Sequence, residues 1–189
     1  PREWLGAPDA GKFPLHLISN QPRARLHSQL DPVGPSRLTK VAGREPIRMH
    51  PDDAGARDLR EGDVVRVFND RGACLAGVCI SSDVRQGVVQ MATGAWYDPV
   101  NPGEPDGLDV HGNPNVLTHD LGTSMLSRGP APGSTLVEVV RYGEAAPPLT
   151  VDRPPRFVAD FRARQGTGDA STGAGSQTAE ARRRFAGSA

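Results

Sequence analysis

The chain has 189 residues, and its 22 Lys and Arg offset 22 Asp and Glu, so the formal charge is zero at pH 7. That balance argues against a broad electrostatic grip on nucleic acid or an anionic membrane, and the length suits one domain plus a tail. Hydrophobic content of 37% with 22 Gly and 18 Pro favours short strands joined by many turns over a helical bundle.

Residues 1–13 open PREWLGA without an initiator Met and without a signal-like segment, and read as a lead-in from a longer polypeptide. LHLIS (15–19) predicts a first strand. NQPRARLHSQ (20–29) follows at once with two arginines, a histidine and several amides. Such a run is either a solvated loop or a mouth that grips a polar, anionic ligand. If it stays extended, Arg23, Arg25 and His27 share one face. DPVGPSRL (31–38) reads as loop. IRM (47–49) is a short strand, and Pro51-Asp52-Asp53 opens a helix of about two turns through Leu59, with Pro in the first turn and acids at the positive dipole end. Glu61-Gly62-Asp63 turns the chain into VVRVFN (64–69), and Asp70-Arg71-Gly72 returns it as ACLAGVCI (73–80). VVQMA (88–92) is a further strand.

Cys74 and Cys79 fall on opposite faces of one strand, which speaks against a mutual disulfide or a metal pair and for two buried small residues. Residues 94–119 are rich in Gly, Pro, Asn and Asp, but the pair Trp96-Tyr97 favours an ordered, functional loop over a floppy one. His111 and His119 read as structural or exposed, because no zinc-like spacing surrounds them. STLVEVVRY (134–142) alternates as a closing strand. Beyond it, 143–189 is low in complexity and reads as a disordered tail, in which FVADF (157–161) docks weakly at most and AEARRRF (179–185) is a short basic terminus. Together these elements predict a mainly β domain, a closed or nearly closed barrel over 14–142, with one or two short helices.

LISNQPRARLHSQLD, GREPIRMHPDDA, GDVVRVFNDRGACLAGV, GVVQMATGAWYDP, HGNPNVLTHDLGTS and STLVEVVRY occur in this order. Together they resemble the C-terminal, molybdopterin-dinucleotide-binding domain of the dimethyl sulfoxide reductase family, on the branch of the biotin sulfoxide and trimethylamine N-oxide reductases. The resemblance implies a double-psi β-barrel that binds one face of bis(molybdopterin guanine dinucleotide), with molybdenum ligated by a serine of an upstream domain, a role not open to Ser28. It implies a C-terminal piece of an enzyme that reduces an S-oxide or N-oxide, inert by itself, with upstream catalytic domains as partners. Ser19, Gln21, Arg25 and His27 are then expected to line the cofactor, with Ser28 and Gln29 as further contacts and Asn20 shaping the turn. Asn115, with Asn113 behind it, is expected to read a pterin or guanine edge, and Trp96 to wall the cavity or plug the barrel end. Where the family usually carries a polar residue before the last strand, this chain has Gly133, and either the backbone N–H groups of Gly133 and Ser134 take over that cofactor contact or it is lost.

A stand-alone barrel serving as a protein- or ligand-binding module remains the competing reading. An autonomous enzyme is not supported, since no nucleophile sits in a recognisable elbow. The thiols lean towards a cytoplasmic location, with the periplasm left open.

Overall fold

The computed structural model describes residues 3–104, 107–120, 122, 124–126 and 133–154. The chain divides into two units, Pro1–Arg153 and Pro154–Ala189; only Pro154 of the second is described, so the architecture is that of the first. FVADF and AEARRRF lie outside the described residues.

Six segments form strands; most set alternate side chains on an inward and an outward face, while Gly72–Ile80 is buried on both faces over most of its length. They are β1 (Leu15–Asn20), β2 (Pro46–Met49), β3 (Val64–Asn69), β4 (Gly72–Ile80), β5 (Val88–Ala92) and β6 (Ser134–Arg141). They close into a barrel in the order β1-β5-β2-β4-β3-β6. The β1–β5 and β2–β4 pairs are parallel and the other four antiparallel. Two parallel pairs inside one closed six-stranded barrel match the double-psi arrangement expected from the resemblance. Closure also removes every strand edge.

The inward rows supply the core: Leu15 and Leu17, Ile47 and Met49, Val65 and Val67, Cys74, Ala76 and Val78, Val89 and Met91, Val137 and Val139, all buried in one cluster. Cys74 belongs to this row. Cys79 faces the other way and is only half-buried, a correction to the expectation of two buried thiols; both are free. Two short α-helices, α1 (Gly34–Arg37) and α2 (Pro51–Gly55), and two 3-10 turns, Pro8–Gly11 and Pro114–Leu117, complete the described regular structure. The first helix forms where a loop was expected, one turn with Pro35 in its permissive first positions. The second is capped by the His50 ring, which accepts from the Asp52 N–H at 3.2 Å. It stops well short of Leu59, because Asp58 adopts a left-handed φ of 53°.

Strand register decides which loops meet. Asn20 lies beside Ala92, Ile18 beside Ser134, Ile47 beside Met91 and Asn69 beside Gly72. The C-terminal ends of β1, β3 and β5 and the N-terminal ends of β2, β4 and β6 therefore share one mouth. Three connections, 21–45, 70–71 and 93–133, emerge there.

The segment after Tyr142 is not wholly a loose tail, as its composition suggested. Residues 143–153, still within the first unit, fold back on the barrel loops. Arg44 donates to the Pro147 carbonyl at 2.8 Å, and the Asp98 carboxylate accepts from the backbone N–H groups of Thr150 and Val151 at 2.7 and 3.0 Å. The segment makes one internal turn, Arg153 N–H to the Thr150 carbonyl at 2.9 Å, and other polar groups of its backbone are met by side chains of the barrel loops.

Candidate functional site

At the mouth the inward rows change character. At the next inward position, two residues beyond Leu17, Val67, Ile47 and Val137, they end in Ser19, Asn69, Glu45 and Thr135. Glu45, Asn69 and Thr135 are buried. The Ser19 hydroxyl is a buried oxygen with no hydrogen-bond partner among the described residues. A barrel that is apolar along its length and polar at one rim is built to meet something polar there.

Leu117 seals the rim from above. The 3-10 turn Pro114–Leu117 drives that side chain into the core. Its carbonyl accepts from the Asn69 amide at 2.8 Å and from the Thr135 hydroxyl at 3.1 Å. The preceding HGN turn is organised by Asp109, fully buried, whose carboxylate accepts from the N–H groups of Gly112 and Asn113 at 2.7 Å each and of Asp98 at 2.8 Å. Burial pushes the Asp109 carboxyl up, and these three donors only partly offset it. Gly112 has φ 96°, and a Cβ there would lie 2.6 Å from that of Glu45, so only glycine lets this turn come so close.

A buried charge cluster ties the loops together. The Arg25 guanidinium, with no exposed side-chain surface, lies 3.1 Å from Glu45 and 3.4 Å from Asp31. It also donates to the Thr93 carbonyl at 2.7 Å and the Ser36 hydroxyl at 3.2 Å. Lys40 bridges the same two acids at 2.8 and 2.7 Å. Asp31 further accepts from the Trp96 N–H at 2.9 Å, and the His111 ring sits 3.7 Å away. Burial works to raise the Asp31 carboxyl, but the Lys40 and Trp96 hydrogen bonds and the neighbouring Lys40 and His111 outweigh it and hold the group low. Two cations facing two carboxylates make the cluster self-neutralising. Loop 21–45 and loop 93–133 are thereby fixed to each other.

The predicted residues are distributed accordingly. The segment 21–29 is not extended: His27 has φ 51° and Leu30 φ 66°. The common face expected of Arg23, Arg25 and His27 is broken, with Arg25 buried and the other two exposed. The Arg25 side chain is turned inward. Its fork does hold oxygens, but those of Asp31 and Glu45, and none of it is presented outward. Gln21 donates to the Arg25 carbonyl at 3.0 Å, and Asn20 accepts from Gln90 and donates to Gln21. Ser28 offers its carbonyl to the Trp96 indole at 2.7 Å, so Trp96, 40% exposed, stitches two loops rather than plugging the barrel. Asn113 caps its own turn through Asn115 N–H at 3.0 Å. The Gly133 carbonyl accepts from Ser19 N–H at 2.9 Å. His27, Gln29 and Asn115 are exposed and turn polar side chains outward at the rim.

A second cluster pins the lead-in. Glu3 lies 2.8 Å from Arg71 and 3.0 Å from His119 and also accepts from Thr135 Oγ1 and, at 3.3 Å, from Leu136 N–H. Burial works to raise its carboxyl, but the Thr135 and Arg71 bonds prevail and lower it. Among the described residues no group of His, Cys, Asp or Glu is arranged to hold a metal ion, and no helix is long and apolar enough to cross a membrane.

A closed barrel whose loops converge on one polar rim is a ligand-holding domain in form. Residues 15–136 match the model of the molydopterin dinucleotide binding domain, and the chain belongs to that family. It is 44% identical over 82% of its length to the dimethyl sulfoxide/trimethylamine N-oxide reductase of Cereibacter sphaeroides, covering 19% of that protein. It is 49% identical over 77% to trimethylamine-N-oxide reductase 1 of Escherichia coli K12, covering 17%, and 45% over 74% to the biotin sulfoxide reductase of Cereibacter sphaeroides, covering 18%. The chain thus spans less than a fifth of these relatives. Among solved structures, acetylene hydratase from Pelobacter acetylenicus shares the fold with a TM-score of 0.60 and 16% identity, over 75% of this chain and 20% of that one.

Sequence reasoning missed Asp31, Lys40, Glu45, Asp98 and Asp109 as organisers. Only Asp109 leaves a local trace, an acid three residues before a glycine in DVHGN, the spacing at which a carboxylate can accept from the turn's N–H groups. Asp31, Lys40 and Glu45 pair within one irregular loop that has no sequence period, and Asp98 acts on Thr150 and Val151, more than 50 residues away.

Proposed function

We propose that this chain is the cofactor-binding barrel of a molybdenum oxotransferase whose rim holds one face of bis(molybdopterin guanine dinucleotide). The observation that carries the reading is convergence: Ser19 and the loops bearing His27 and Asn115 reach the same mouth of a barrel from this family. The donor set fits the group. Ser19 offers a buried hydroxyl with no partner among the described residues, and Gln29 and Asn115 offer amides suited to the edges of a guanine or pterin. His27 offers a ring nitrogen, while the glycine turns at 94 and 112 let backbone approach closely. Arg25 is assigned to positioning these loops, not to the pyrophosphate.

The chemistry supplied by the bound group is oxygen-atom transfer at molybdenum, from an S-oxide or N-oxide as the names of the relatives indicate. Residues of this chain bind and orient; none is assigned a proton or a bond in that reaction. The remaining domains of the same polypeptide are the proposed partners, since the matched segment makes up only 19% and 17% of these relatives. Exposed Leu26, Leu30 and Leu38 beside the rim, at 56, 59 and 88%, provide apolar surface for them. The two free thiols agree with a reducing compartment.

In the full-length protein, His27→Ala and Asn115→Ala are each expected to lower molybdenum and guanine content severalfold while the unfolding midpoint of the isolated barrel stays unchanged. Full cofactor content in both would refute the assignment. The competing reading, a stand-alone binding module, predicts instead that the parent protein carries no molybdenum or guanine at all.

A further inference from the structure

We infer that residues 143–153 are a strap that locks the cofactor rim, and that the Asp98 carboxylate is its clasp, a positioning residue for the dinucleotide. The proposal rests on the reading of the rim given above and adds to it a component outside the matched residues 15–136.

The described polar contacts of this segment fall on rim loops. Beyond Tyr142, whose N–H still pairs with the Val64 carbonyl, the chain leaves the barrel and reaches two loops. On loop 21–45 it meets Arg44, buried, which takes the Pro147 carbonyl while its other terminal nitrogen donates to Ala42. Leu149 packs over Gly43, where φ is 76° and a side chain would collide with the leucine. Arg37 pairs with Asp152. On loop 93–133 it meets Asp98, 4% exposed, both of whose oxygens are used: Oδ1 accepts from the Thr150 hydroxyl, and Oδ2 from the N–H groups of Thr150 and Val151.

The backbone of Asp98 shows what that grip controls. Its N–H is held by Asp109 Oδ1 at 2.8 Å and its carbonyl accepts from Val110 at 2.9 Å. The same Asp109 organises the turn that presents Asn113 and Asn115. Two residues before Asp98, Trp96 is bonded to Ser28 and Asp31. One side chain therefore joins the strap to both ligand-facing turns. The Arg25 cluster ties the two loops from within; the strap ties them from without. Because its described polar contacts fall on loops rather than on strand side chains, losing it should loosen the rim and leave the barrel standing. A segment that merely completed the fold would weaken both.

The test uses the full-length, cofactor-loaded protein with Asp98→Ala and, as a second variant that keeps the carboxylate, Thr150→Pro, which removes one N–H donor and the hydroxyl. Two quantities are read: amide hydrogen exchange along the chain, and the rate at which guanine dinucleotide is lost on dilution. Expected is at least tenfold faster exchange at Val110, Gly112 and Asn113, with Val65, Val67 and Val89 within twofold of the parent, and severalfold faster cofactor loss. Unchanged exchange in the rim overturns the strap. Uniform acceleration in rim and strands overturns the positioning role, leaving Asp98 a general support of the fold. A loosened rim with unchanged cofactor loss overturns the link to the ligand. That last result is distinguishable from failure of the rim reading itself, which is judged separately by cofactor content in the His27 and Asn115 variants.

Discussion

Replacing Arg25 by methionine separates two roles that the sequence alone could not. A ligand-facing arginine can be removed from the unliganded barrel at little cost to folding. The Arg25 of this structure cannot. Its guanidinium is inaccessible, 3.1 Å from Glu45 and 3.4 Å from Asp31, and bonded to the Thr93 carbonyl. Methionine fills part of the volume but leaves two carboxylates sharing Lys40 alone, so one buried negative charge is uncompensated. Breaking a buried pair from one side costs about 3–5 kcal/mol. Lys40, within 2.8 Å of both acids, moderates this, so a loss of about 3 kcal/mol is expected, the lower end of that range. For a domain of this size that corresponds to a fall in Tm of about 6–12 °C. Arg25→Lys should recover little, because a single ammonium cannot span two carboxylates and a carbonyl as a planar fork does. Adding Glu45→Gln to Arg25→Met removes the orphaned charge, so the double variant should lose less than the sum of the singles by about 1–3 kcal/mol. The assay is equilibrium urea unfolding of the isolated chain without cofactor. An Arg25→Met variant within about 1 kcal/mol of the parent, well below the cost of a broken buried pair, would refute the reasoning and return Arg25 to the ligand.

Gly94 has φ 90°, and a Cβ there would lie 1.8 Å from the His27 carbonyl oxygen, whereas Gly103, with φ 95°, has nothing within 4 Å. Gly103→Ala should therefore cost only the backbone strain, about 1–3 kcal/mol, and Gly94→Ala clearly more; equal shifts in Tm would show that the close approach of the two loops is wrong. The acid limb of stability should carry the mark of Asp31 and Asp98. Burial works to raise both. In Asp31 it is outweighed chiefly by Lys40 and the Trp96 N–H, and in Asp98 by Thr150 and the Val151 N–H, so each is held below the usual carboxylate range. Folded values below the unfolded value of about 3.9 mean that their stabilisation is complete above about pH 4 and lost as pH falls through the folded values. Asp109, raised by burial, has the opposite sign, its contribution declining as pH rises from about 4. Urea midpoints measured from pH 6 to pH 2.5 should fall less steeply in Asp31→Asn than in the parent; identical slopes would contradict the assignment.

Periodicity and turn chemistry were enough to place all six strands, because whether a segment alternates is a local property and each inward row needs only water on one side and a core on the other. β3, predicted as 64–69, is found at Val64–Asn69, and β5, predicted as 88–92, at Val88–Ala92. The motifs RLHSQ, FNDRGAC and HGNPN carried the family in the same way, residue by residue. What the sequence could not disclose was where a charged side chain finds its partner. Arg25 and Thr93 are 68 positions apart, and Thr150 and Asp98 52; such pairs exist only once two parallel crossovers have closed the barrel and brought loops 21–45 and 93–133 to one mouth. An exposed arginine and a buried one look alike in a polar run, and so do a free tail and a strap. The difference is made by desolvation, which turns a nearby carboxylate from a weak surface contact into the required partner of a buried guanidinium, and desolvation belongs to the closed structure alone.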